Sequence, residues 1–265
     1  MRLLHRSADL DSFFRYVQEV GQRVLLLDYD GTLAPFTPDR DRAYPYQEAT
    51  KLIAEILGLG STRVVIVSGR AIKDITQLIG LSPLPEIWGS HGWEHLSHNG
   101  VYRLTPLDPM LERKLSEGKL CLERLGLAQQ QEDKPVSVAV HWRGLPLEQA
   151  NDLHNKVISA WSTLTAGSAL EIHPFDGGLE LRVRGQDKGF AVDAVLSEHN
   201  PPIAAAYLGD DLTDEDAFRA MADKGLRILV RSEFRKTLAD VWLKPPDELL
   251  EFLRNWRDAA SMTIG

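Results

Sequence analysis

Asp28-Tyr29-Asp30-Gly31-Thr32 follows directly on the apolar run Val24-Leu25-Leu26-Leu27. Two carboxylates, a glycine and a hydroxyl thus stand where a short apolar run, read as a buried strand, comes to its end. Side chains at i and i+2 of a strand share a face, so Asp28 and Asp30 are expected to aim at one spot. Gly31 lets the backbone turn away sharply. In an open α/β sheet that spot, outside the strand ends, is where ligands bind. The plain alternative is a strand that ends in a polar turn. A calcium loop fails: it needs glycine sixth and Glu twelfth, whereas counting from Asp28 the glycine is fourth and the twelfth residue is Asp39.

A second acidic stretch, Gly209-Asp210-Asp211-Leu212-Thr213-Asp214-Glu215-Asp216, follows the apolar run Ala204 to Leu208. Asp214, Glu215 and Asp216 suit a helix N-terminus, whose dipole they complement, and Thr213 is a candidate cap. That role leaves Asp210 and Asp211 unexplained, because they precede the cap. If the two strands are neighbours in a parallel sheet, Asp28, Asp30 and Asp210 converge. Carboxylates so close raise one another's pKa values, and a hard divalent cation relieves the repulsion. Mg²⁺ suits few carboxylates and several waters, and it screens and orients a phosphate.

Two further positions extend this to a phosphate site. Ser68, in Ser68-Gly69-Arg70 at the end of another apolar run, can donate its hydroxyl to a phosphoryl oxygen. Lys188, in Gln186-Asp187-Lys188-Gly189, opens a helical stretch, where an ammonium and a helix N-terminus together suit an anion. The competing reading is an ordinary solvated lysine. Arg70 either joins Lys188 in neutralising phosphoryl charge or holds Asp74, four residues on.

These groups need a scaffold, and the hydrophobic periodicity supplies one. Leu10, Phe13, Phe14, Val17 and Val20 have helical spacing, and the Asp28 strand comes next. Pro35, Pro38 and Pro45 then mark a loop. Leu52 to Leu57 predicts a helix closed by Gly58 and Gly60, Arg63 to Val67 a strand, Ile72 to Ile79 a helix, and Ile87-Trp88 a strand ending at Gly89-Ser90-His91-Gly92. This alternation predicts a parallel sheet with helices on both faces.

Beyond it, Asn99-Gly100 is a hairpin signal between Trp93–Leu96 and Val101–Leu104. Helices at 110–125 and 153–164, a strand at 136–142, and a strand pair around Asp176-Gly177-Gly178 suggest an antiparallel sheet backed by helices. From Lys188 the first pattern returns: a helix at 188–198, the 204–208 strand, a helix near Asp214, a strand at 227–230 and a terminal helix at 247–256. The expected architecture is an α/β, Rossmann-like parallel-sheet core, residues 1–105 and 186–265, with an inserted α+β cap at 106–185.

Bulk properties narrow the class. The net charge of −8, from 30 basic and 38 acidic residues, argues against a nucleic-acid or anionic-membrane surface. Cys121 is the single cysteine, which excludes an internal disulfide and points to a reducing cytoplasm. The first ten residues carry charge where a secretory leader would need an apolar run. No stretch approaches the apolar length of a membrane span.

The order DYDGT, SGR, a Lys-Gly pair and GDDLTDEDAF resembles the haloacid dehalogenase-like phosphohydrolases, with the insert between the second and third motifs as in members with a cap. More narrowly, Gly89-Ser90-His91-Gly92, His141-Trp142-Arg143, Leu179-Glu180-Leu181-Arg182 and the extended GDDLTDEDAF are similar to the trehalose-6-phosphate phosphatases. The resemblance covers about residues 20 to 255. It implies an Mg²⁺-dependent phosphatase that releases trehalose through an aspartyl-phosphate on Asp28. Asp30 would protonate the leaving oxygen and then activate water. Asp28, the backbone carbonyl of Asp30, and Asp210 would hold the metal, supported by Asp211 or Asp214. Thr32, Ser68, Arg70 and Lys188 would bind the phosphoryl oxygens. The cap would shut over the site as a lid, with Lys134, His141, Arg143 and Glu180, together with His91, as candidate sugar contacts. His141 and the Glu180–Arg182 stretch have surface roles as their alternatives. The resemblance leaves room for a loose association with a synthase. Rival readings are a phosphatase of another glycosyl phosphate, such as glucosylglycerol phosphate or mannosyl-phosphoglycerate, a phosphotransferase, and a non-catalytic phosphatase-like module.

Overall fold

The computed structural model describes residues 1–5, 9–37, 39–175 and 177–262. Pro38 and Asp176, singled out above as loop and turn residues, lie outside the described residues. The chain forms two compact units, Met1–Arg103 with Asp187–Gly265, and Leu104–Gln186. The sequence drew these limits at 105 and 186.

In the first unit the elements run β1 (Arg2–Leu3), α1 (Leu10–Glu19), β2 (Gln22–Leu27), α2 (Gln47–Leu59), β3 (Arg63–Val67), α3 (Ile72–Leu78), β4 (Glu86–Gly89), β5 (Glu94–Leu96) and β6 (Tyr102–Leu104). The second unit contributes α4 (Pro109–Arg124), β7 (Gln131–Lys134), β8 (Ser137–His141), α5 (Leu147–Thr165), β9 (Leu170–Phe175) and β10 (Gly178–Val183). The first unit resumes with α6 (Lys188–Ser197), β11 (Ile203–Gly209), α7 (Asp214–Met221), β12 (Leu226–Val230), β13 (Val241–Leu243) and α8 (Asp247–Ser261).

The first sheet has the order β1-β13-β12-β11-β2-β3-β4-β5-β6. Its strands from β13 to β4 are parallel, with antiparallel β1 and β5 beside them. Strand alternation sends Leu25 and Leu27 into one core and Val24 and Leu26 into the other. Phe252 and Trp256 of α8 cover the first face, and Ala191, Val192 and Phe218 of α6 and α7 cover the second. Both faces of β2 are therefore buried, which is why it reads as an unbroken apolar run.

The sequence missed β1 and β13, which are too short to show a period, and stopped α8 short of its final turn. Thr213 does not cap α7: its own backbone is already helical, and it makes no side-chain capping bond. The amides of Asp214 and Glu215 are instead taken by the carbonyls of Asp211 and Leu212.

The second unit is an antiparallel sheet, order β7-β8-β10-β9, with α4 and α5 against it. Gly118 sits inside α4 because a Cβ there would meet Leu181 Cδ2 at 2.5 Å, and its carbonyl accepts the Trp161 indole N–H at 3.1 Å. β7 was not foreseen, since Gln-Glu-Asp-Lys offers no apolar alternation. No helix among the described residues is long and apolar enough to cross a membrane.

Candidate active site

β2 and β11 are neighbours, and the Asp28 amide donates to the Leu208 carbonyl at 2.8 Å. Asp28 and Asp210 therefore leave the sheet from adjacent carboxyl ends, and both are buried. Gly31 has φ +79°, and a Cβ on it would lie 2.2 Å from Asp210 Oδ2. Only glycine permits that turn and that approach together. Gly209, without a left-handed turn, gives Asp214 the same close approach: its Cγ would lie 2.3 Å from an added Cβ.

Asp28, Asp210 and Asp214 each present an oxygen, and these atoms lie within 4.8 Å of one another. Asp187 caps α6 by accepting the Phe190 amide at 2.8 Å. The next residue, Lys188, is buried and donates to Asp28 Oδ1 at 2.8 Å and Asp214 Oδ1 at 2.7 Å. Three buried carboxylates thus face one ammonium. Burial, with the charge of Asp214, pushes the Asp28 carboxyl up to about 7 despite Lys188. Burial and then Asp28, Asp214 and Asp211 hold the Asp210 carboxyl well above the usual range. Burial alone would lower the Lys188 ammonium, but Asp214 and Asp28 more than offset it and raise it.

The three acids are not equivalent. Asp214 Oδ1 also accepts the Tyr207 hydroxyl at 2.6 Å, and its Oδ2 accepts the amides of Asp210 and Asp211, each at 2.9 Å. Its job is to shape the loop. Asp210 Oδ2 is buried and accepts no hydrogen bond among the described residues, with the Arg231 guanidinium 3.7 Å away. Asp28 Oδ2 meets Thr32 Oγ1 at 3.4 Å. An oxygen-only donor set, closely spaced, with one buried oxygen unsatisfied and carboxyl pKa values pushed upward, fits a hard divalent cation.

Asp30 and Asp211 do not join that cluster through their carboxylates. β2 ends at Leu27, and the Tyr29 carbonyl accepts the amides of Leu33 and Ala34 in a tight turn. Strand alternation lapses there, so Asp28 and Asp30 do not share an aim. The Asp30 side chain is 36% exposed and takes two bonds from Arg70, Nε to Oδ2 at 2.6 Å and Nη2 to Oδ1 at 2.7 Å. Arg70 does not hold Asp74; Arg40 does, at 2.9 Å. Asp211 enters through its backbone: its amide goes to Asp214, and its carbonyl accepts Arg235 Nη2 at 2.6 Å. Ser68 is buried at the end of β3, its Oγ accepting the Arg70 amide at 3.1 Å. The His91 ring lies on Gly69, where an added Cβ would be 2.6 Å from Nε2.

In the second unit, alternation gathers polar groups on one sheet face. Glu180 is buried and accepts from Lys134 Nζ at 2.8 Å and Ser137 Oγ at 2.6 Å. His141 Nε2 lies 2.6 Å from Glu132 Oε2. Glu180 and Arg182 are not a surface pair: both are buried, and Arg182 bonds Glu171 at 2.7 Å. Arg143 follows the end of β8, packed against Gly177.

Sequence reasoning missed Arg235, whose guanidinium also donates to the Asp210 carbonyl at 3.0 Å, and Tyr207, Glu132 and Glu94. A tyrosine inside the alanine run before GDD was the one available signal; an arginine far along the chain carries none.

Residues 26–241 match the trehalose-phosphatase family. A trehalose-phosphate phosphatase of Mycobacterium ulcerans is 30% identical over 252 residues, 88% of this chain and 61% of the relative. A probable trehalose-phosphate phosphatase H of Arabidopsis thaliana is 31% identical over 292 residues, covering 97% of this chain and 79% of that one. The chain therefore spans about three fifths of the mycobacterial relative's length. Among solved structures, the C-terminal domain of the Candida albicans trehalose-6-phosphate phosphatase superposes with a TM-score of 0.82 at 20% identity, covering 97% of this chain and 99% of that domain. That likeness speaks to the fold, and it agrees with the haloacid dehalogenase-like core expected from the motifs.

Proposed function

Because the chain belongs to the trehalose-phosphatase family, we propose that it hydrolyses trehalose 6-phosphate to trehalose and phosphate. The observation that carries the chemistry is the buried trio Asp28, Asp210 and Asp214 facing Lys188 at the carboxyl ends of β2 and β11.

Asp28 is the nucleophile. Its oxygen forms a bond to phosphorus while the bond from phosphorus to the sugar oxygen breaks, giving an aspartyl-phosphate. Asp30 gives its proton to the departing sugar oxygen, then takes one from the water that attacks phosphorus and frees Asp28. Arg70 bonds both Asp30 oxygens and so fixes where that carboxyl stands. The pair loosens for the first step. Lys188, Ser68 and Thr32 bind the phosphoryl oxygens, and Arg70 joins them when it leaves Asp30. Asp28, Asp210 and the Asp30 carbonyl would hold Mg²⁺, which when bound screens carboxylate against phosphate and orients the phosphoryl group. Asp211 and Asp214 support that metal by shaping the loop. His91, Lys134, His141, Arg143 and Glu180 are the sugar-reading groups, since a wrong sugar would leave such polar groups unpaired.

Acid quenching during turnover followed by borohydride reduction tests the mechanism. An acyl phosphate is reduced to the alcohol, so peptide mass spectrometry should find homoserine at position 28. Turnover with an unaltered position 28 would contradict the covalent step.

A further inference from the structure

Ser90 and His91 are non-glycine residues with φ of 48° and 55°, and Gly92 continues the left-handed turn at 97°. Such backbone persists only where the surroundings over-determine it. Here the turn is tied to the Ser68 loop: the Ser90 amide donates to the Arg70 carbonyl at 2.7 Å, and the His91 amide donates to the Ser68 carbonyl at 3.1 Å. The group that holds the turn is Glu94, buried on β5. Its Oε2 accepts the Ser90 hydroxyl and, at 3.3 Å, the amide of Ile72, the first residue of α3. Ala71, before that helix, supplies no side-chain cap. Glu94 Oε1 accepts the Tyr102 hydroxyl at 2.9 Å.

We infer that Glu94 is a positioning residue: through the Ser90 hydroxyl and the Ile72 amide it fixes the turn that carries His91 against the loop that carries Ser68 and Arg70. The inference rests on the phosphatase reading of that loop. One carboxylate oxygen binds the strained turn and the start of α3 together, so losing it frees Ser68 and Arg70 to shift relative to Asp28. Misplacement of this kind reduces turnover without removing a reacting group. Asp210 and Asp214 lie on a different loop, so metal affinity should not follow.

The test compares wild type, Glu94→Gln, Glu94→Ala and Ser90→Ala for kcat, KM, inhibition by inorganic phosphate, and half-saturating Mg²⁺. Glu94→Gln should stay within about threefold of wild type, because its amide oxygen still accepts from Ser90 and Ile72. Glu94→Ala should lower kcat by about 10- to 100-fold and weaken phosphate inhibition about tenfold, with half-saturating Mg²⁺ unchanged. Unchanged kcat and phosphate inhibition would overturn the inference, as would a loss of Mg²⁺ affinity in the same proportion. Should Glu94→Ala fail to fold, Ser90→Ala decides: weaker phosphate inhibition supports the inference, and wild-type behaviour overturns it. A wild type that neither turns over nor responds to phosphate would overturn the phosphatase reading and this inference with it. A competent wild type beside an indifferent Glu94→Ala overturns the inference alone.

Discussion

The two units each hold a cluster of ionisable groups, and the clusters are built on opposite principles. Around Asp28, three buried carboxylates share one ammonium, and the carboxyl groups of Asp28 and Asp210 are pushed up. On the polar face of the β7-β8-β10-β9 sheet, Glu180 meets Lys134, Glu132 meets His141, and Glu171 meets Arg182. The first cluster is short of positive charge and gains from a cation. The second balances acid against base, and its stability comes from within. The proposed metal and phosphate site thus keeps electrostatic tension in hand. The proposed sugar-reading face holds none, only donors and acceptors in fixed directions.

The largest effect expected falls on the first cluster. Asp28→Asn should lower phosphate release by at least about 10⁴-fold, as loss of a nucleophile does elsewhere, while calorimetry of the metal-free protein shows no loss of stability. Opposite behaviour belongs to the second cluster. Glu180→Ala takes the acid from a buried pair and should cost about 3 kcal/mol in urea unfolding. Were both substitutions to destabilise alike, the contrast between the clusters would fail.

Arg235→Ala sharpens the comparison by leaving all acids in place. It removes the bonds to the Asp210 and Asp211 carbonyls, so half-saturating Mg²⁺ should rise about tenfold. The smallest effect has the most telling sign. Asp28 binds its proton more tightly folded than unfolded, so unfolding releases protons between about pH 4 and pH 7. Metal-free stability should therefore fall as pH rises through that window, and Mg²⁺ should stabilise more at pH 8 than at pH 5, as thermal melts with and without chelator would show. Asp210→Asn should raise metal-free stability, because it removes a buried charge that Asp28 and Asp214 repel, and abolish the response to Mg²⁺. A fall in metal-free stability would show that no repulsion is stored at Asp210.

The first cluster was legible in the sequence because its residues are local to strand ends. Asp28 and Asp210 each follow an apolar run, and β2 and β11 pair as the parallel pattern requires. What the sequence could not show was which way each carboxylate turns. Alternation predicted a common aim for Asp28 and Asp30, but the strand stops at Leu27 and Arg70 draws Asp30 aside. Asp214 looked like a dipole-complementing residue and instead folds back onto two amides of its own loop. The second cluster was less legible for a physical reason. Its pairs are cross-strand, so Glu132 and His141 meet only through sheet register, and β7 itself has no apolar period to announce it. Arg235 and Glu94 act on backbone groups far from them in sequence, a role that residue type alone does not mark.

The most direct test is phosphate release from trehalose 6-phosphate with and without Mg²⁺, beside glucose 6-phosphate, glucosylglycerol phosphate and mannosyl-phosphoglycerate, with Asp28→Asn as the blank. Release that is selective for trehalose 6-phosphate, needs the metal and vanishes in the variant is the expected result. Faster release from another glycosyl phosphate would contradict the substrate, and no release from any of them would contradict the phosphatase itself.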